Sequence, residues 1–438
     1  MPKYATVALG EEIYSWACDL FPINRSLTGA GVRETLKYFQ NILPDLTIYS
    51  VPSGKEVFDW VVPDEWEIKE AYIETPSGEK IADFKLNNLH VVGYSCPVDK
   101  VVSLEELQEN LYSIPEMPDA IPYVTSYYRK KWGFCLTHKL REALVPGQYK
   151  VKIDSRHFKG ELNYAEIVIP GDTSEEILFS SYICHPSMAN DQLSGPCVLV
   201  ALVRYLKSLD NRRYTYRIIL IPENIGSLVY LDSWLDHLKV TVKAGLVIAC
   251  VGDDRDYSML YSREGNTLAD RALHHVLLCH SDTFKTYDYL WPNRGSDERN
   301  FCSPGVDLPI ASFMRSKYGV YPEYHTSLDN LSIVSPEGFL NSFIVLQKFV
   351  NLLENNYFYV NLIKGEPCLG KRNLYPTSTS HRSGFDKWIS DLMNILAYAD
   401  GKEDLLGIAT KLKVNIEDLI PLVNKLESEN IIKKQLKG

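Results

Sequence analysis

The sequence predicts an α/β protein: a mixed, mostly parallel sheet flanked by helices, with an inserted β-rich domain and a C-terminal winged helix-turn-helix. Three observations lead there. Apolar strand-like runs alternate with helical segments from Tyr149 onward; the stretch 46–149 shows period-two alternation and is rich in Tyr, Trp, Val and Pro; and the residues after 384 read as three helical segments and a strand. The expected domains are therefore 1–45 joined to 150–366, an insertion 46–149, and a tail domain 384–438.

Taken in order, Glu11 to Leu20 and Gly29 to Leu43 repeat apolar residues at helical spacing on either side of the turn Asn24-Arg-Ser-Leu-Thr-Gly29. Arg25, Ser26 and Thr28 there either cap a helix or reach towards a pocket. In the insertion, Glu56 to Val62, Glu70 to Thr75 and Leu89 to Tyr94 alternate as strands. Its aromatic segment Tyr123 to Trp132 forms either a small core or a pocket wall, and Asp59-Trp60 approaches a substrate if the insertion overhangs the site. Strands are then expected at 166–170, 176–183, 216–221 and 242–251, with a helix over 195–208. Gly370 to Gly384 reads as a linker, followed by helices near 385–398, 402–412 and 415–429 and a strand at 431–436.

Composition excludes several classes. With 438 residues, 45% hydrophobic and 23% charged, the chain is long enough for two or three packed domains. No run of about 18 apolar residues occurs and no signal-like segment opens the chain, so a cytoplasmic protein without a membrane partner is expected. Nine scattered cysteines without a C-x-x-C pair suggest neither a zinc ribbon nor a disulfide framework. The formal charge of −10 argues against non-specific binding of nucleic acid. The tail carries eight Lys against nine Asp or Glu, a poor balance for phosphate contacts, so packing or homo-oligomerisation is the expected role of the winged helix.

Chemistry concentrates at strand ends, where open α/β sheets gather ligands. An apolar run stops at His185, with Asp191 six residues on and Leu-Ser-Gly195 opening a helix; Glu223 follows another apolar strand; and Tyr324-His-Thr-Ser-Leu-Asp329 offers His325. A catalytic zinc takes about three nitrogen or oxygen ligands plus a water, and the water needs a base. His185, Asp191 and His325 can supply the ligands and Glu223 the base. Each has a plain alternative: a hydrogen-bonded structural His, a helix-capping Asp, a solvated loop Glu, a turn His.

These segments, with Gly295-Ser-Asp-Glu-Arg-Asn-Phe301, fall in the order found in zinc aminopeptidases of the M28 type, and roughly 150–360 resembles them. That resemblance implies the phosphorylase/hydrolase-like fold, zinc and amide hydrolysis. The layout is also similar to bacterial aminopeptidase-like proteins long filed as a domain of unknown function, with an inserted β domain and a winged helix. Two departures stand out: Asn224 occupies the place of a second metal-binding acid, and Ala249 that of another, with Asp253 or Asp254 left to compensate. One zinc per chain, held by His185, Asp191 and His325, is therefore expected. The expected activity is that of a metallo-aminopeptidase or related amide hydrolase acting on a peptide or small amide, with Tyr324 as an oxyanion donor. Arg315 is a candidate partner for a substrate carboxylate, and Asp297 for an amine. The alternative is a non-catalytic binding or regulatory protein on a degraded peptidase fold, its winged helix contacting protein or nucleic acid.

Overall fold

An eight-stranded mixed sheet organises the larger part of the chain. The computed structural model describes residues 4–375 and 387–435. Numbering the strands of this sheet in chain order, β1 is Thr47–Pro52, β2 Glu161–Ile169, β3 Glu176–Tyr182, β4 Thr215–Ile221, β5 Val242–Ile248, β6 Ser258–Leu260, β7 Lys285–Tyr287 and β8 Ile310–Met314. Their spatial order is β1-β2-β4-β3-β5-β8-β6-β7. The four central strands run parallel, β4 beside β3, β3 beside β5 and β5 beside β8, while β2 runs against both its neighbours and β6 runs against β8 but parallel to β7.

Parallel central strands are covered on both faces, which is why β3 and β4 read as near-continuous apolar runs. All seven residues of β3 are buried. The helix Ser194–Lys207 follows β3 and buries Val198, Leu199, Val200, Leu202 and Val203, side chains that each contribute roughly 1.5–3 kcal/mol on leaving water. At the other end of β3, Glu176 accepts from Arg217 (2.6 and 2.9 Å) and from the His237 ring, and Arg217 also donates to Glu166 at 2.7 Å. This buried arginine thus stitches β2, β3 and β4 together by charge-assisted hydrogen bonds.

The insertion is a four-stranded antiparallel sheet, ordered Lys80–Ile81, Glu65–Glu74, Gln148–Phe158, Val98–Ser103, over a core that includes Ile73, Val102, Phe134, Tyr149 and Val151. The strand Thr47–Pro52, which the sequence placed inside the insertion, instead pairs with β2 on the edge of the large sheet. Alternation shows that a strand exists; it cannot show which sheet takes it.

The chain divides into two compact units, 1–270 with 283–344 and 271–282 with 345–438. In the second, Lys387–Tyr398, Leu405–Leu412 and Ile416–Ser428 are the three expected helices and Ile432–Gln435 the expected strand. Its sheet is completed by Asp400–Asp404 and, centrally, by Phe358–Asn361, so the unit begins well before the expected 384. The expected linker Gly370 to Gly384 lies for its greater part outside the described residues, as does Leu436. No helix among the described residues is long and apolar enough to cross a membrane.

Candidate active site

Three loops at the ends of β3, β4 and β8 bring the predicted residues together. His185 follows β3, Asp191 lies in the helical turn after it, Glu223 follows β4, and His325 lies beyond β8. One ligand atom from each of His185, Asp191 and His325 falls within 4.8 Å of the others. His325 Nε2 is 3.1 Å from Asp191 Oδ2, and His185 Nε2 is 3.5 Å from Glu223 Oε2.

Local structure explains how each is held. Residues Ala189–Leu193 form one turn of π-helix feeding the helix that starts at Ser194. Asp329 pins that turn: its Oδ1 accepts the Ala189 and Asn190 N–H groups (3.0 and 2.7 Å), and its Oδ2 accepts the Asp191 N–H (3.0 Å) and the Tyr321 hydroxyl (2.7 Å). Gln192 spans the same turn, accepting from His185 N–H and donating to the Tyr182 carbonyl. The Tyr182 hydroxyl donates to Asp191 Oδ1 at 2.6 Å. Gly195 is required for close approach, since a Cβ there would lie 2.3 Å from Ser181 Oγ and 2.4 Å from the Ile248 carbonyl.

Glu223 is set by its successor. Asn224 has φ 63° and ψ −75°, a costly region for a non-glycine residue, and it is tied down by its N–H to Asp297 Oδ1 (2.8 Å) and by Asn300 Nδ2 to its own side-chain oxygen (3.0 Å). His325 likewise has a positive φ of 55°. Ser296 donates to Glu223 Oε1 at 2.7 Å. The Tyr324 ring stacks on His325 with centroids 3.9 Å apart and forms a shelf for the imidazole.

Electrostatics follow from burial and crowding. Burial lowers His185 to about 4 despite Asp191 beside it. Burial alone would raise Asp191, but His185 and His325 hold it well below the usual carboxylate range. Burial and then the Asp191 charge push Glu223 up to about 7. Asp297, buried next to Glu223, rises to about 8. Burial would lower His325, yet Asp191 carries it above its ordinary value.

Two buried atoms of the cluster, His185 Nδ1 and Asp191 Oδ2, make no well-aligned hydrogen bond, the second having only its ion-pair contact with the His325 ring at 3.1 Å. Buried polar atoms are rarely left so, and two imidazoles with a carboxylate are a donor set suited to zinc. The residues therefore fit a metal ion. Asp253 and Asp254 do not join them: Asp253 is occupied by Asn190, Ser316 and the Arg255 N–H, and Asp254 is exposed. Ala249 is buried beside Cys250 without a ligand atom.

A cavity of ≈ 320 Å³ opens over the cluster. The insertion supplies much of its wall, with Trp60, Tyr123, Tyr127 and Tyr128 facing Glu223 and Arg299. Tyr123 presents its ring edge-on to both His185 and His325 (5.3 and 5.1 Å), and its N–H donates to the His325 carbonyl. Trp60 and, as one of two alternatives, the segment opening at Tyr123 were legible in the sequence as pocket wall; Arg299 was not assigned a part there. Arg315 lies away from the cavity, its Nε on the Asp256 carbonyl and its guanidinium over Tyr257. Arg25 is buried beneath the site, donating to the His185 carbonyl at 2.8 Å.

Residues 14–356 match the family model described as a domain of unknown function, DUF4910, and residues 357–434 match a winged helix-turn-helix model. A protein of Clostridium acetobutylicum, described provisionally as a polysaccharide biosynthesis protein with an aminopeptidase-like domain, is 44% identical over 405 residues, 92% of this chain and 91% of its own. A crystal structure from the same organism, described provisionally as a peptidase, superposes with TM-score 0.90 at 40% identity, covering 98% of this chain and 97% of that one. A zinc aminopeptidase of Bacillus subtilis shares the fold at TM-score 0.55 and 15% identity, over 78% of this chain and 94% of its own.

Proposed function

The chain belongs to the DUF4910 family, and on that premise we propose that it is a zinc-dependent amide hydrolase with Glu223 as general base. One observation carries the reading: His185, Asp191 and His325 converge beneath a cavity, with two of their buried polar atoms in no well-aligned hydrogen bond and a carboxylate 3.5 Å from His185.

Bound by His185, Asp191 and His325, zinc supplies Lewis acidity towards a carbonyl oxygen and a water. The protein does the rest. Glu223 takes the proton of the attacking water and returns it to the departing amine, a task that needs a carboxylate held in one orientation. The Ser296 hydroxyl on Oε1 fixes that orientation and leaves Oε2 on the side of His185. Tyr123 and Tyr324 enclose the imidazoles and keep water from the faces they cover. Asp329 and Gln192 hold the Asp191 turn. The name of the Clostridium acetobutylicum relative directs the substrate search to N-acylated sugars as well as aminoacyl amides.

The test is metal content by elemental analysis beside turnover of an amide panel. About one zinc per chain is expected, retained by Glu223→Gln and lost by His325→Ala, with Glu223→Gln reducing turnover by about 10²–10⁴. Absence of zinc uptake by the wild type would overturn the reading in favour of a binding protein.

A further inference from the structure

The cavity contains two features that the proposed chemistry leaves unused: an arginine without a hydrogen-bond partner and an aromatic wall. Arg299 lies on the short helix Glu298–Phe301 and lines the cavity along with aromatic residues of the insertion. Among the described residues its guanidinium makes no hydrogen bond or ion pair, although its charge acts on Glu223, drawing that carboxyl down against burial. Arg25 is engaged by the Leu20 and His185 carbonyls, Arg315 by the Asp256 carbonyl, and Arg294 lies 5.2 Å from the Tyr289 ring. A guanidinium presents a planar fork of N–H donors that matches a carboxylate, so an unsatisfied one in a substrate cavity is a recognition group.

The charge balance points the same way. Among the described residues lining the cavity Glu223 is the one carboxylate, and the next residue is the neutral Asn224. A substrate with a free ammonium beside its scissile bond would need a carboxylate other than the base, and would meet Arg299 instead. In the same cavity, Trp60 and Tyr128 pack edge to face at 5.7 Å and remain 39% and 53% exposed, an apolar surface suited to a flat or bulky group.

We infer that Arg299 sets specificity: the amide hydrolysed carries a carboxylate near its scissile bond, bound by this guanidinium, has no free ammonium there, and lays its apolar body against Trp60 and Tyr128. The inference rests on the hydrolase reading above. The reaction is unchanged by it: water adds across the C–N bond, the acyl group leaves as a carboxylic acid and the nitrogen takes the proton as amine.

The experiment uses the zinc-loaded full chain carrying Glu223→Gln, titrated with N-benzoylglycine, N-benzoylglycinamide and glycine anilide while Trp fluorescence and heat are followed. The acid should bind at least about tenfold more tightly than its primary amide, as charge-assisted pairing predicts. Adding Arg299→Gln should erase that preference with zinc content retained, and Arg299→Lys should restore part of it. An acid preference that survives Arg299→Gln, as a carboxylate seated on zinc would give, overturns the inference. So does tightest binding of glycine anilide. Turnover by the otherwise wild-type chain separates the two readings. Arg299-dependent binding with no amide cleaved sinks the hydrolase and leaves the anion site; fastest cleavage of glycine anilide sinks the anion site and leaves the hydrolase.

Discussion

Replacing Asp329 by Asn should loosen the proposed metal site without touching any proposed ligand. Both oxygens of Asp329 accept backbone N–H groups of the Asp191 turn, and Oδ2 also accepts the Tyr321 hydroxyl. An amide offers a single acceptor oxygen, so whichever way it is turned its NH₂ meets at least one buried N–H. One orphaned donor costs about 1–3 kcal/mol, and neutralising the remaining charge-assisted bonds brings the expected loss of stability to about 2–4 kcal/mol. Because the turn sets where Asp191 points, zinc affinity should fall about 10–100-fold, the usual effect of removing a residue that orients a ligand. Urea unfolding of the metal-stripped protein reads the first quantity, and competition with a chromophoric chelator reads the second. Stability within about 0.5 kcal/mol of wild type, a surface-like effect, together with affinity within about threefold would refute the idea that Asp329 builds the site.

Two further outcomes follow from the sheet and its packing. Burial would raise the Glu176 carboxyl, but Arg217 and His237 hold it below its ordinary value of 4.5, so its stabilising contribution is present above that value and is lost as pH falls through the lower folded one. The urea midpoints of wild type and Glu176→Gln should therefore differ at pH 7 and converge towards pH 3; a gap constant with pH would show that the ion pair is not the cause. Gly195→Ala should destabilise by at least about 1–3 kcal/mol, because its Cβ would overlap the Ser181 hydroxyl and the Ile248 carbonyl. An unchanged denaturation midpoint for that variant would mean that the helix can retreat from the strands without loss.

The sequence by itself determined the class of the fold and the chemical inventory of the site. The apolar runs ending at His185 and Glu223 are too short for ordinary helices and read as covered strands whose ends meet loops. Residue type did the same for His185, Asp191, Glu223 and His325, since few side chains combine metal affinity with proton transfer. Tertiary structure decided what depends on distance along the chain. Thr47–Pro52 joined β2, whose partner residues lie more than a hundred positions away, and Phe358–Asn361 became the centre of the winged-helix sheet. The roles of Asp329, Ser296 and Tyr123 were equally hidden: each acts through a contact between remote segments, and a hydrogen bond to an N–H 138 residues away leaves no local pattern. Asn224 shows the division within one residue. Its identity announced a missing acid, while only the folded chain shows it strained at a positive φ to aim Glu223 into the cavity.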